Sequence, residues 1–400
     1  MNARNQIMGA ERTREVVYAI REIAAIAEKL LAEGRDLVNL NIGDPIKSDF
    51  ETPPHMIEAI HRGMLEGNTG YGPSYGVPAA VEAIERDAAR QGIDNVDQVF
   101  VTTGASEGIE LALTALVNPG DKVLLPMPGY PLYTAVMSKL GGESVPYFLD
   151  EANAWQPDVA DIEAKVDERT VAIVVINPNN PTGSIADEDT LRQVVEIAEK
   201  RDLLILADEI YNKILFPGEK HVPLGSLAGG HPCMTFNGLS KCYLGPGLRT
   251  GWTILSGDLD RMADFKDAFT KMVRARLCPN TPMQWAIPAA LEGDQSHVGE
   301  VMAKVSGRAD LVASRLEQIE EFGFVRPRGA FYVFPSIDCP GSDWDFCVEL
   351  LKDKGVVTVP GSGFGQRPGT KHMRIVLLQT DAQLGEAMDR IESFVAKKRS

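Results

Sequence analysis

The strongest constraint on the fold is an alternation that runs from about residue 77 to residue 241. Short segments rich in Val, Ile and Leu exchange with amphipathic helical segments: VPAAVEAIERDAARQG, VFVTTG, ASEGIELALTALVNPG, DKVLLPMPGYP, LYTAVMSKLGG, TVAIVVINPNNPTG, DEDTLRQVVEIAEKRD, LLILADE and CMTFNGLSK. Strands that are apolar on both faces and separated by helices predict a mostly parallel sheet covered by helices, an α/β fold. Such a sheet gathers its ligands at the carboxyl ends of the strands, where loops and helix N-termini converge. The residues at those ends therefore carry the functional reading.

The flanks follow other rules. The spacing of Ile20, Ile23, Ile26, Leu30 and Leu31 predicts a helix from Val17 to Leu31, closed by Gly34 and followed by the extended LVNLNIG. Pro53 to Gly67 reads as a second helix. After about Pro288 a long helix, VMAKVSGRADLVASRLEQIEEFG, precedes FYVFPSI, another helix, VVTVPGSG and HMRIVLL, which reads as a smaller α+β unit with antiparallel strands. The first helix and LVNLNIG have no place in the central sheet and are expected to complete that unit. Three divisions follow: an arm and part of the small domain over 1–50, a large domain over 51–292 and a small domain over 293–400.

A formal charge of -16 opposes a nucleic-acid or anionic-membrane surface, so any anion site must be built from individual residues. The five cysteines form no CxxC pair and read as free thiols, and no metal site is expected. The first residues lack the apolar stretch of a secretory signal, and VAIVVI is too short to span a membrane. A cytoplasmic protein is the expectation.

Each strand end offers a functional and a bland reading. Lys241, in NGLSKCYLGPGLRTG, is either a solvated charge or an amine that burial makes nucleophilic. Arg249, eight residues on, suits a phosphate. Asp208 either caps a following helix or pairs with a protonated ring nitrogen, and Tyr211, three residues later, reaches a ring hydroxyl or packs in the core. NPNNPTG is a rigid turn that also places Asn180 to aim an amide at a phenolate oxygen. TTGASEG puts Gly104, Ala105 and Ser106 at a helix start, where backbone and hydroxyl donors meet anions. Tyr130 has an aromatic face to stack, and Arg374, opposite Met373 and Ile375 on its strand, suits a carboxylate.

Taken together, NIGDP, NPNNPTG, ADEIY, SK...GLRTGW and HMRIV resemble the fold-type-I pyridoxal-phosphate enzymes, specifically class-I aminotransferases, over nearly the whole chain. Within that group FNGLSK, MPGYPLY and ARLCPN are most similar to bacterial-type alanine aminotransferases. The resemblance implies a mostly parallel seven-stranded central sheet with a smaller α+β domain, and pyridoxal 5'-phosphate as cofactor. It implies that Lys241 carries the cofactor, that Asp208 pairs with the ring nitrogen, and that Asn180 and Tyr211 hold the ring hydroxyl. Tyr130 stacks on the ring, while Gly104, Ala105, Ser106, Ser240 and Arg249 surround the phosphate. Gly104 and Gly238 stand where aspartate-specific relatives often carry hydroxyl residues. Gly43, Asn180 and Arg374 meet the substrate, and Tyr71 reaches the phosphate of a neighbouring subunit in a homodimer. The implied activity is reversible amino transfer from alanine to 2-oxoglutarate, with aspartate, aromatic or aliphatic amino acids as alternative substrates and a lyase as the less favoured class. Arg276 is a candidate for the distal carboxylate of glutamate. Conventional dinucleotide sites are disfavoured, because neither GYGPSYG nor GSGFG has GxGxxG spacing.

Overall fold

The computed structural model describes residues 7–16 and 19–399. The chain first forms a helix, α1 (Ala19–Ala32), then a two-residue strand, β1 (Val38–Asn39). Of the helix expected from Val17 to Leu31, Val17 lies outside the described residues. Ile23 and Ala27 are buried, whereas Leu31 is exposed, one step past the apolar stripe. Helices α2 (Pro54–Leu65) and α3 (Pro78–Arg90) lead into the central sheet. Both begin with proline in the first turn, where its missing N–H costs nothing.

The sheet comprises β2 (Val96–Thr102), β3 (Lys122–Met127), β4 (Glu143–Asp150), β5 (Gln156–Pro157), β6 (Thr170–Ile176), β7 (Leu204–Asp208), β8 (Cys233–Gly238) and β9 (Gly251–Ser256). Their order is β2-β9-β8-β7-β6-β3-β4-β5. The sheet thus has eight strands rather than the seven expected, because the two-residue β5 adds to the β4 edge. Only β9 and β5 run against the rest. The chain turns back from β8 into β9 through the Lys241 to Arg249 loop, so both ends of that loop are tied to one hydrogen-bonded pair. Every residue of β7 and β8 is buried, and β6 is buried except at Val171. Each Val, Ile or Leu in these strands contributes roughly 1.5–3 kcal/mol of burial, which fixes the strand ends firmly. Helices α4 (Ala105–Leu116) and α5 (Leu132–Leu140) follow β2 and β3 directly.

The long helix expected after Pro288 spans Ser296–Leu316. Beyond it, Met373–Val376 lies between Tyr332–Val333 and Val359–Pro360, antiparallel to both. β1 pairs in parallel with Val356–Val357, so the extended N-terminal segment does complete this unit. Among the described residues no helix is long and apolar enough to cross a membrane, and no His, Cys, Asp and Glu side chains group as metal ligands.

Candidate active site

A cavity of about 530 Å³ opens at the carboxyl ends of the strands. Lys241, Asp208, Tyr211, Asn180, Tyr130, Ala105, Ser106, Ser240, Arg249, Gly43 and Arg374 all contribute to its wall, although they span more than three hundred residues of chain. The sheet explains the convergence. Asp208 ends β7, Asn180 follows β6, Tyr130 follows β3, Ser106 opens α4 after β2, and Lys241 and Arg249 lie between β8 and β9.

Asp208 is 4 % exposed, and no helix begins after it, which removes the capping alternative. Tyr133, in the first turn of α5, donates to Asp208 Oδ2 at 3.0 Å. Burial raises the Asp208 carboxyl to about 6, opposed by the Tyr133 hydroxyl and the Ile210 N–H. An acid held this way keeps its charge most readily when a cation lies beside it. Tyr211 and Tyr332 share a hydroxyl hydrogen bond of 2.7 Å on the same wall.

Lys241 Nζ donates to the Gly43 carbonyl at 2.7 Å. Burial and then the Arg374 charge lower the amine to about 8, with Asp44 opposing and Arg249 assisting. A substantial neutral fraction is thus available near physiological pH. A Cβ on Gly43 would come within 2.7 Å of the Tyr332 hydroxyl and 2.8 Å of the Phe331 ring, so the lysine's acceptor lies in a gap only glycine leaves.

Arg374 is 2 % exposed and donates through Nη1 to Asn180 Oδ1 at 3.0 Å and through Nη2 to the Asn41 carbonyl at 2.5 Å. Its guanidinium lies 4.8 Å from the centroids of both Tyr332 and Phe364. These contacts orient a planar donor fork toward the cavity.

The first turn of α4 forms the anion end. Gly104 caps it at φ 75° and ψ 162°, a conformation almost confined to glycine, without a side-chain cap. A Cβ there would meet Arg249 Nη2 at 2.5 Å. Gly104 is not on the cavity wall; its service is to leave room for the Arg249 guanidinium beside a helix N-terminus, where anions are favoured. The donor set thus fits pyridoxal 5'-phosphate: an anion cradle at one end, a carboxylate at the other, and an amine of lowered proton affinity on the same wall.

Two other expected residues lie elsewhere. Tyr71 is 87 % exposed and off this wall. Arg276 is also off it: it forms an ion pair with Glu107 at 3.3 Å, and its Nη2 donates to the carbonyls of Val101 and Ser74. Sequence reasoning missed Tyr133, Tyr332, Asn41 and Arg21. Tyr133 follows MPGYP by two residues and had a local signal; Arg21 faces the cavity from α1 with no motif to mark it.

Comparison with known proteins agrees with this geometry. Residues 35–391 match the family model described as Aminotransferase class I and II, and the chain belongs to that family. It is a pyridoxal-phosphate-dependent aminotransferase, acting on amino acids and 2-oxo acids. Alanine aminotransferase of Mycobacterium tuberculosis is 39 % identical, over 97 % of this chain and 92 % of the relative. The solved alanine aminotransferase from Pyrococcus furiosus superposes with a TM-score of 0.94 at 39 % identity, over 98 % of this chain and all of that one. A probable aspartate aminotransferase of Methanocaldococcus jannaschii is 33 % identical, over 89 % and 91 % of the two chains.

Proposed function

We propose that the enzyme transfers the amino group of L-alanine reversibly to 2-oxoglutarate, giving pyruvate and L-glutamate, and that it works as a homodimer. The observation that carries the substrate reading is a cavity wall with two guanidinium groups besides Arg249 of the anion end, and an apolar patch. Arg374 is buried and oriented for the α-carboxylate that every partner shares. Arg21, Ile20 and Ile42 lie on the same cavity wall. The isoleucines suit a methyl group, and Arg21 can compensate the second carboxylate of a five-carbon partner, a burial that is costly without a cation. Arg21, and not Arg276, takes the distal role.

The chain's own residues divide the work. Arg374 and Asn180 orient the α-carboxylate, and Ala105, Ser106 and Arg249 hold phosphate. With the cofactor bound, Tyr130 would cover the ring face, Asn180 and Tyr211 would hold its hydroxyl oxygen, and Asp208 would keep the ring nitrogen protonated. When bound, the cofactor supplies an electron sink conjugated to the substrate nitrogen. Lys241, its proton affinity lowered by burial and by Arg374, would take the Cα proton of the bound amino acid as a free amine and hold it for return. Gly43 O anchors the amine on the substrate side of the cavity.

Ile57, Met64 and Leu65 are exposed on one face of α2, spaced seven and eight residues apart, and Tyr71 is exposed soon after it. Such an unpaired apolar face suits a second copy, with Tyr71 reaching that copy's phosphate. The test is a matrix of amino donors and 2-oxo acceptors, each half-reaction followed separately. Turnover of aspartate and oxaloacetate without alanine and pyruvate would replace this reading with an aspartate-directed one.

A further inference from the structure

β7 ends on Asp208 and Glu209 follows it directly; of these two consecutive acids only Asp208 lines the cavity. Glu209 is 2 % exposed in the interior. Its Oε1 accepts from the Leu224 N–H at 2.7 Å. Its Oε2 has no hydrogen-bond partner and lies 3.9 Å from Nε2 of His221, which is buried and equally unpartnered. The His221 ring hydrogen-bonds the backbone of Asn177, and the Asn177 N–H donates to the Asp208 carbonyl at 3.0 Å. The Glu209 and His221 pair is therefore fastened to the strand end that carries Asp208. The other titratable groups facing Glu209 are Asp208 itself and Cys233 of β8, and among the described residues no lysine or arginine forms an ion pair with it.

We propose that Glu209 and His221 share one proton as an uncharged pair that positions Asp208 and leaves it the single negative charge behind the cofactor ring. This rests on the reading of Asp208 as partner of the ring nitrogen. Two ionised carboxylates on adjacent residues would each favour protonation of the other, and a protonated Asp208 could no longer hold a proton on the ring. Protonated Oε2 donates to Nε2 once the side chains close by about 1 Å, which satisfies both orphaned atoms. The surroundings favour that state. Burial pushes Glu209 up to about 8, against the Leu224 N–H and with the Asp208 charge, and burial brings His221 down to about 4. Between those values neither group is charged.

Infrared spectra of the holoenzyme and of its Glu209→Gln variant, recorded across pH, test the pair directly. A protonated-carboxyl band should be present at pH 7, vanish in Glu209→Gln, and titrate away near pH 8. Nitrogen NMR, assigned with His221→Asn, should show a neutral His221 ring at pH 7. In single-turnover assays Glu209→Ala should slow the half-reaction by more than about tenfold, the equivalent of one unit of displaced proton affinity at Asp208, and Glu209→Gln should restore most of the rate. Absence of the band with a doubly protonated His221 ring would show an ion pair and overturn the proposal. So would a Glu209→Gln enzyme no faster than Glu209→Ala. An Asp208→Asn enzyme as fast as the parent would overturn the ring-nitrogen reading, and with it the service assigned to the pair, while the band independently decides its charge state.

Discussion

Gly104→Ala separates two consequences of one methyl group. The added Cβ meets Arg249 Nη2 at 2.5 Å and Cζ at 3.1 Å, and the backbone stays at φ 75° only under strain. The backbone penalty is about 1–3 kcal/mol and falls on folding. The steric conflict falls on the end of a flexible side chain, so it is relieved by moving the Arg249 guanidinium away from the first turn of α4. Losing its charge-assisted hydrogen bonds to phosphate costs roughly 1.5–3 kcal/mol, or about 10- to 150-fold in Kd. Spectrophotometric titration of apoprotein with pyridoxal 5'-phosphate reads the second effect, and denaturant unfolding of the apoprotein reads the first. Weaker binding should accompany the stability loss. A destabilised variant that binds the cofactor as tightly as the parent would refute the placement of Arg249 at the phosphate.

Asp208→Asn should keep the Tyr133 contact but lose the charge behind the ring, slowing single-turnover deprotonation roughly a hundredfold or more while weakening cofactor binding less than Arg249→Ala does. Arg374→Lys replaces a planar fork with a point charge and should lower kcat/KM about 10- to 150-fold for every amino-acid partner, since all share the α-carboxylate. Arg21→Ala should raise KM for glutamate and 2-oxoglutarate selectively; equal losses for alanine would remove its distal role. Because Lys241 is lowered to about 8, the rate at which apoprotein captures the cofactor aldehyde should rise with pH through that value as the amine loses its proton. Arg374→Gln removes a positive neighbour and should move that inflection upward.

Legibility followed the range of the interactions. Short apolar strands and their turn residues announce themselves locally, so β2, β3, β6, β7 and β8 and the residues just past them were readable. β4, the β5 edge and the reversed β9 were not, because ESVPYFLD and GWTILS carry no signal of direction and a two-residue strand has no period. Arg374 shows the same limit. Its strand predicts alternating faces, yet Met373, Arg374 and Ile375 are all buried, because the arginine's side of the strand closes the cavity. Tyr332 meets Tyr211 across 121 positions, and Glu209 meets His221 through a loop that only the folded sheet brings alongside β7. Arg276 had the right chemistry in the right neighbourhood. Glu107 and two backbone carbonyls claim it instead.

The cavity is organised around Lys241, the residue proposed to carry the cofactor. Holoenzyme treated with borohydride, digested and mapped by mass spectrometry tests it most directly. One pyridoxyl adduct per chain is expected, on the peptide containing Lys241, and none in Lys241→Ala despite residual cofactor binding through the phosphate site. An adduct on any other lysine, or a full adduct yield in Lys241→Ala, would contradict it.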